Sequence, residues 1–408
     1  MRVQRGIVVV LLGLLVLAAG RGDPSVSELD AKVAMYRWGV AGWEVKNFLD
    51  KWRYRIREAL PWHRAPAEDT KVLEELFHGS QRITELERRL VTGDGGEGVF
   101  EQTRMEIADQ LDELRGRQTR IRAQAEERLE GQVSAVLDEE GFQSRIGLIW
   151  PPVDVSLVNP PRALVISPRD VIERRRTINL RPNLKLGEIE SLEEEIFREL
   201  GLSALVVNIG GIATYPSIVP PRLGMRGTLE VTAHEWLHQY WFFRPLGRNY
   251  WSDGDTMTLN ETAASMAGKE LGARAYELVT GEALPEPMAV PAPAQVAAES
   301  AFDFQEEMRE TRLEADRLLA QGLVEEAEQY MEERRKLFVA NGLFIRKLNQ
   351  AYFAFFGTYA ANPASVSPIQ GELERFRATV DGTGEFIRAM SGFSSYGEFK
   401  RALEEVGE

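Results

Sequence analysis

Two of the chain's four histidines stand four residues apart in VTAHEWLHQYWF (231–242), and a glutamate directly follows the first. On an α-helix, residues i and i+4 lie on one face a turn apart, so His234 and His238 can aim imidazole nitrogens at a common centre. Glu235 is rotated by about 100° from His234, which keeps it out of that pair but within reach of a water held at the centre. Two imidazoles and a carboxylate base on one rigid element are what H-E-x-x-H supplies for metal-assisted hydrolysis. Composition alone would produce this spacing only about 0.006 times in such a chain, taking all acidic residues as an upper bound for glutamate. The competing reading is an apolar helix that happens to hold two histidines.

The element that must carry them is legible in the apolar pattern. Leu229, Ala233, Trp236, Leu237, Tyr240 and Trp241 recur at helical intervals, and Pro245 and Gly247 follow as stop signals. No charged residue occupies 231–234 or 236–242, as a helix buried behind a metal site requires.

A catalytic zinc site takes three protein ligands and keeps a position open. His63 and His78 lie far upstream in a helical pattern and read as surface or packing residues. The third ligand should then be a downstream carboxylate, with Asp253, Asp255 and Glu261 as candidates. The aspartates sit in WSDGDTM, an exposed turn by composition. Glu261 opens TLNETAASMAGKELGARAYEL, a helix expected to be capped near Thr258 or Asn260. Ala264, Ser265, Gly268 and Gly272 follow the glutamate on one stripe of small residues. Glycine inside a helix costs about 0.5–1 kcal/mol relative to alanine. The stripe therefore predicts close approach to the His234 helix, with Glu261 as ligand.

These two motifs, H-E-x-x-H at 234–238 and N-E-x-x-A at 260–264, resemble the gluzincin branch of zinc metallopeptidases, the thermolysin-like and aminopeptidase-like enzymes. The resemblance covers about 146–281. It implies an α+β fold whose zincin-like core joins a small mixed sheet to the H-E-x-x-H helix and the glutamate helix. It also implies one Zn2+ per chain on His234, His238 and Glu261, with Glu235 as general base. The family places an edge strand before the metal helix, along which peptide substrate lies antiparallel. NIGGIATYPSIV (208–219) is similarly placed, so Gly210, Gly211, Ile212 and Ala213 are expected to contact substrate. Four residues after the ligand glutamate, thermolysin-like enzymes have an aspartate; here the position is Ser265. There is no G-x-M-E-N exopeptidase motif, and no third histidine follows H-E-x-x-H, which excludes a metzincin. With no downstream histidine to stabilise an oxyanion, a tyrosine must serve: Tyr352 and Tyr359, with Tyr250 behind them.

Around this core the chain divides by texture. Arg2 and Arg5 precede the uncharged run Gly6–Gly20, so residues 1–25 read as a signal peptide or short N-terminal anchor. The expected location is extracytoplasmic, secreted or held at a membrane through residues 6–20. Residues 26–145 form a helical N-terminal region: Ile107, Leu111, Leu114, Ile121 and Ala125 mark a long amphipathic helix with a gap at Gln118, and GDGGEG (93–98) is a loop. The core spans 146–281 and contains SLEEEIFRELG, a helix read as starting at the capping box Ser191-x-x-Glu194 and ending at Gly201. A Pro-rich linker occupies 282–299 and a C-terminal helical domain 300–408. The absence of cysteine excludes disulfides and thiolate chemistry, and a net charge of −14 argues against nucleic acid as a partner. The expected function is an exported zinc metallopeptidase acting on peptide or protein substrates. Its rivals are a non-catalytic helical envelope scaffold with a degenerate zincin core and a metallohydrolase of non-peptide amides.

Overall fold

A computed structural model describes residues 27–40, 42–44, 51, 71–92, 97–145, 147–282 and 302–406, which build a helix-rich α+β architecture. The expected leader at 1–25, His63, and nearly all of the 282–299 linker lie outside the described residues. Among the described residues no helix is long and apolar enough to cross a membrane.

Helix α1 (Glu28–Val33) is capped by Ser27, whose Oγ accepts from Asp30 N. The long helices α2 (Lys71–Thr92) and α3 (Glu97–Glu139) pack side by side. Glu97 and Gly98, expected in a loop, already belong to α3. The gap at Gln118 is a polar contact inside this helix pair: its Nε2 donates to Ser80 Oγ at 2.6 Å and to Leu76 O at 3.3 Å.

Next come β1 (Val155–Ser156), β2 (Arg162–Pro168), β3 (Arg176–Leu180), α4 (Leu186–Leu200) and β4 (Leu202–Asn208). Strand β2 is central, antiparallel to both β3 and β4. Its sequence is apolar on both faces because both are covered. Leu164 and Ile166 face α4 with Ile189, Leu192 and Ile196, while Ala163 and Val165 face Ala351 and Phe355. Helix α4 begins five residues before the expected capping box. Glu188 accepts from Lys185 N at 2.8 Å there, and Leu186, Ile189 and Glu190 extend the amphipathic pattern upstream of Ser191. Its end at Gly201 (φ 61°) is as expected.

The outer edge of β4 is closed by side chains. Asn349 donates to Ala204 O, Arg346 donates to Val206 O, and Val206 N donates to Glu193 Oε1. An exposed edge would otherwise template another strand. Helix α3 does the same for β1: Glu130 accepts from Val155 N and Glu126 from Leu157 N.

After β4 the chain does not continue as the strand expected over 208–219. It turns at Gly210–Gly211, forms a single bridge between Ile212 and Ile218, and β5 (Ser217–Ile218) pairs parallel with β1. Helices α5 (Gly224–Trp241), α6 (Pro245–Arg248) and α7 (Gly254–Thr280) follow. The remaining described helices are α8 (Phe304–Ala320), α9 (Val324–Ala340), α10 (Gln350–Phe356), α11 (Ile369–Arg377), α12 (Gly382–Gly392) and α13 (Tyr396–Val406). One apolar core draws on all three regions of the chain, including Leu73, Leu129, Trp236, Trp241, Leu259, Ala267, Phe386 and Phe399.

Candidate metal centre

Helix α5 buries the apolar face read from its sequence. Leu229, Ala233, Leu237 and Trp241 are fully buried, and Trp236 Nε1 donates to Pro151 O at 2.8 Å. This leaves His234 and His238 on the flank that faces α7. The small-residue stripe of α7 is what brings the two helices together. A Cβ at Gly272 would lie 2.4 Å from Glu230 Cα, and one at Gly268 would lie 3.0 Å from His234 Cβ. Helix α7 starts earlier than expected, because Asp253 caps it by accepting from Thr256 N. Glu261 thus lies two turns inside the helix and is buried, while Asp253 and Asp255 are exposed. His78 is exposed on α2.

Three ligand atoms converge. His234 Nε2 and His238 Nε2 are 3.0 Å apart, and Glu261 Oε2 lies 3.6 Å from each. A point equidistant from three atoms so separated is about 2.0 Å from each, the length of a zinc–nitrogen or zinc–oxygen bond. Glu261 Oε2 is buried without any hydrogen-bond partner. Such an orphaned acceptor is costly unless something cationic satisfies it. Two nitrogens and one oxygen around a point at bonding distance fit a divalent cation, and among the described residues these three form the group able to hold it.

The surrounding side chains hold the ligands in place. Ser265 Oγ lies 3.5 Å from His234 Nδ1, where it orients the ring and leaves Nε2 turned inward. Asn260 Nδ2 donates to Leu246 O at 3.4 Å, tying α7 to α6 beside the ligands. Tyr250 donates its hydroxyl to Glu261 Oε1, so one carboxylate oxygen is fixed and the other is presented to the imidazoles. Burial would raise the Glu261 carboxyl, but the two facing imidazoles, His238 foremost, outweigh it and hold the group well below the usual range. His238 is the reciprocal case: burial would lower it, and the charge of Glu261 raises it.

Glu235 is buried beside the three ligands. Burial raises its carboxyl above the ordinary value, with the neighbouring imidazoles acting in the opposite sense. Gly211 closes over it, since a Cβ there would sit 2.5 Å from Glu235 Oε1 and 2.8 Å from Val231 Cγ1. The close approach at Gly211 is to Glu235 and Val231. Gly210 and Ala213 are exposed on the same turn, and Ile212 is tied to Ile218 by two backbone hydrogen bonds. Gln239 pins the far side of this turn by donating to Thr214 O and Ser217 Oγ.

Of the three tyrosines considered, two reach the centre. Burial first, and then the charge of Glu261, push both Tyr250 and Tyr359 well above the ordinary phenol range, and Glu235 acts on Tyr359 as well. Tyr359 lies beyond the end of α10, where Ala360 N donates to Thr262 Oγ1, one residue after the ligand glutamate. Tyr352 lies within α10, packed against Phe353 and Phe356, and burial among these rings raises its hydroxyl to about 12.

The chain matches no protein-family model, no curated protein and no solved structure.

Proposed function

We propose that the chain is a zinc-dependent peptidase of the gluzincin type, with a zincin-like core, acting outside the cytoplasm. The observation that carries this reading is the convergence of His234 Nε2, His238 Nε2 and Glu261 Oε2 about one point, with a buried glutamate beside it. Zinc held by these three residues would supply Lewis acidity, polarising a scissile carbonyl and acidifying a water molecule. The chain's own residues do the rest. Glu235 accepts the proton of the attacking water and delivers it to the leaving nitrogen; its burial makes it a stronger base than a solvated carboxylate. Tyr359, beside both Glu235 and Glu261, is the hydroxyl available to donate to the oxygen that gains negative charge. Tyr250 and Ser265 orient the ligands.

The closed edge of β4 bears on the substrate path. Residues 204–206 of β4 are capped, which leaves the turn Gly210–Ala213 that follows this strand and passes over Glu235 as the place beside the centre for an extended peptide. Export is supported by Arg2, Arg5 and the apolar run Gly6–Gly20.

The test pairs metal analysis with hydrolysis. Wild type is expected to hold about one zinc per chain and cleave a casein-derived peptide mixture. Glu235→Gln should keep the zinc and lose about 10²–10⁴-fold in rate, whereas Glu261→Ala should lose the zinc itself. Zinc-free wild type would support the scaffold reading. Zinc binding with amide but not peptide hydrolysis would redirect the substrate class.

A further inference from the structure

Beside the metal centre stands a cation that no anion among the described residues answers. Arg174 lies in the β2–β3 connection, where its Nε donates to Thr177 Oγ1 at 2.9 Å and its Nη1 lies 3.7 Å from Met257 Sδ. Its guanidinium carbon is 5.4 Å from the ring centroid of Phe355 and 5.9 Å from that of Trp251. These neighbours belong to α10, to the first turn of α7, and to the loop that carries Tyr250. Trp251 packs edge-on against Tyr250 at 4.7 Å between ring centroids, and Phe355 against Tyr359 at 6.3 Å, so Arg174 stands one ring away from each of these two phenols of the centre.

The arginines around it are either paired or, like Arg175, exposed. Arg169, in the same connection, pairs with Glu328, and Arg176, at the start of β3, pairs with Asp30. Arg174 forms no ion pair with any described residue, in a chain with 63 acidic residues against 49 basic ones. An arginine oriented by a threonine, backed by aromatic rings and left half-buried keeps its planar fork for something brought from outside. A guanidinium fork matches a carboxylate, which it binds bidentately.

We propose that Arg174 recognises a carboxylate of the substrate next to the scissile bond, giving the site a preference for acidic peptides. This inference rests on the peptidase reading above. The carboxylate has two possible sources, an aspartate or glutamate side chain and the peptide's own C-terminus. Both present the same two oxygens to the fork.

The experiment measures binding to the zinc-loaded Glu235→Gln protein, in which hydrolysis does not intervene. The probes are N-terminally fluorescent alanine-based hexapeptides in which one glutamate is moved through every position, each matched to its glutamine counterpart. All are C-terminally amidated, and one neutral peptide is also made with a free C-terminus. At one placement the carboxylate should bind about tenfold to a hundredfold more tightly than its neutral match. Adding Arg174→Gln should abolish that ratio while leaving neutral peptides unchanged. Arg174→Lys, which keeps the charge but not the fork, should retain part of it. Preference for one internal glutamate identifies a side chain; preference for the free terminus identifies the α-carboxylate. If charged and neutral peptides bind alike, or Arg174→Gln weakens both equally with zinc retained, the inference is overturned and the peptidase reading stands. If no peptide binds and wild type cleaves none, the peptidase reading fails and takes the inference with it.

Discussion

At the scale of single residues, Gly211 and Ser265 do the most with the least material. Burial raises the Glu235 carboxyl, Gly211 packs directly against it, and a general base must be deprotonated to work. The acid limb of kcat/KM should therefore follow the Glu235 carboxyl. In Gly211→Ala the new methyl collides with Glu235 Oε1, so the turn must lift and admit water. Loss of desolvation lowers the pKa of Glu235, and the acid limb should move to lower pH while the rate at neutral pH falls about tenfold. A pH–rate profile that coincides with wild type would show that the glycine does not govern this base. Ser265→Ala removes the hydroxyl beside His234 Nδ1 and should weaken metal binding about tenfold to a hundredfold, read by competition with a chelator; unchanged affinity would reduce Ser265 to packing. His234, Glu235 and His238 were legible because helical spacing alone fixes their relation. Tyr352 and Tyr359 were not separable in QAYFAFFGTY, since the choice depends on α10 ending at Phe356. Nothing in ERRRTINL distinguishes Arg174 from its neighbours; only its surroundings do.

At the scale of elements, the site depends on how closely two helices meet. Gly272 faces the backbone of Glu230, which cannot move aside as a flexible side chain could. Gly272→Ala should destabilise the fold by about 1–3 kcal/mol through overpacking, measured by denaturant unfolding. Gly268→Ala meets the Cβ and backbone of His234 at 3.0–3.1 Å, a milder clash, and should show more in metal affinity than in stability. Wild-type behaviour in both variants would mean that the close approach of α5 and α7 is not what sets the ligands. The stripe of small residues was readable because glycine inside a helix demands a reason. The start of α7 was not, because an aspartate in WSDGDTM suits an exposed turn or a metal as well as a helix cap. Nor were the edge caps. Glu126 and Glu130 stand one turn apart in a charged helix and read as a solvated face, yet they are buried and satisfy β1. Glu193 does the same for β4, held there by Arg346. A carboxylate that replaces a missing strand looks, in sequence, like any surface acid.

At the scale of the molecule, charge joins segments that are distant in sequence. Helix α1 docks on the sheet layer through Leu29 and Val33, and Asp30 adds hydrogen-bonded pairs to Arg176 and Arg37. Lys32 reaches Glu195 and Glu199 on α4. Arg176 foremost, with help from Ser27, holds the Asp30 carboxyl at about 2 against an ordinary 3.8. A carboxylate depressed in the folded state stabilises fully above its unfolded value, and that contribution is lost as pH falls through the folded one. The contribution of Asp30 to the docking of α1 should therefore be insensitive to pH above about 4, weaken between about 4 and 2, and be gone below that. Asp30→Asn removes the charge at every pH. Amide exchange over residues 28–36 should run faster than wild type in this variant at neutral pH, by about twofold to fivefold, because these pairs are partly solvent-screened. The two proteins should converge as the pH drops through the same window, and added salt at neutral pH should narrow the gap. Equal exchange at neutral pH would assign the docking to Leu29 and Val33 alone, whereas a gap that persisted at the acid end would mean that the Asp30 contact works through its geometry and not its charge.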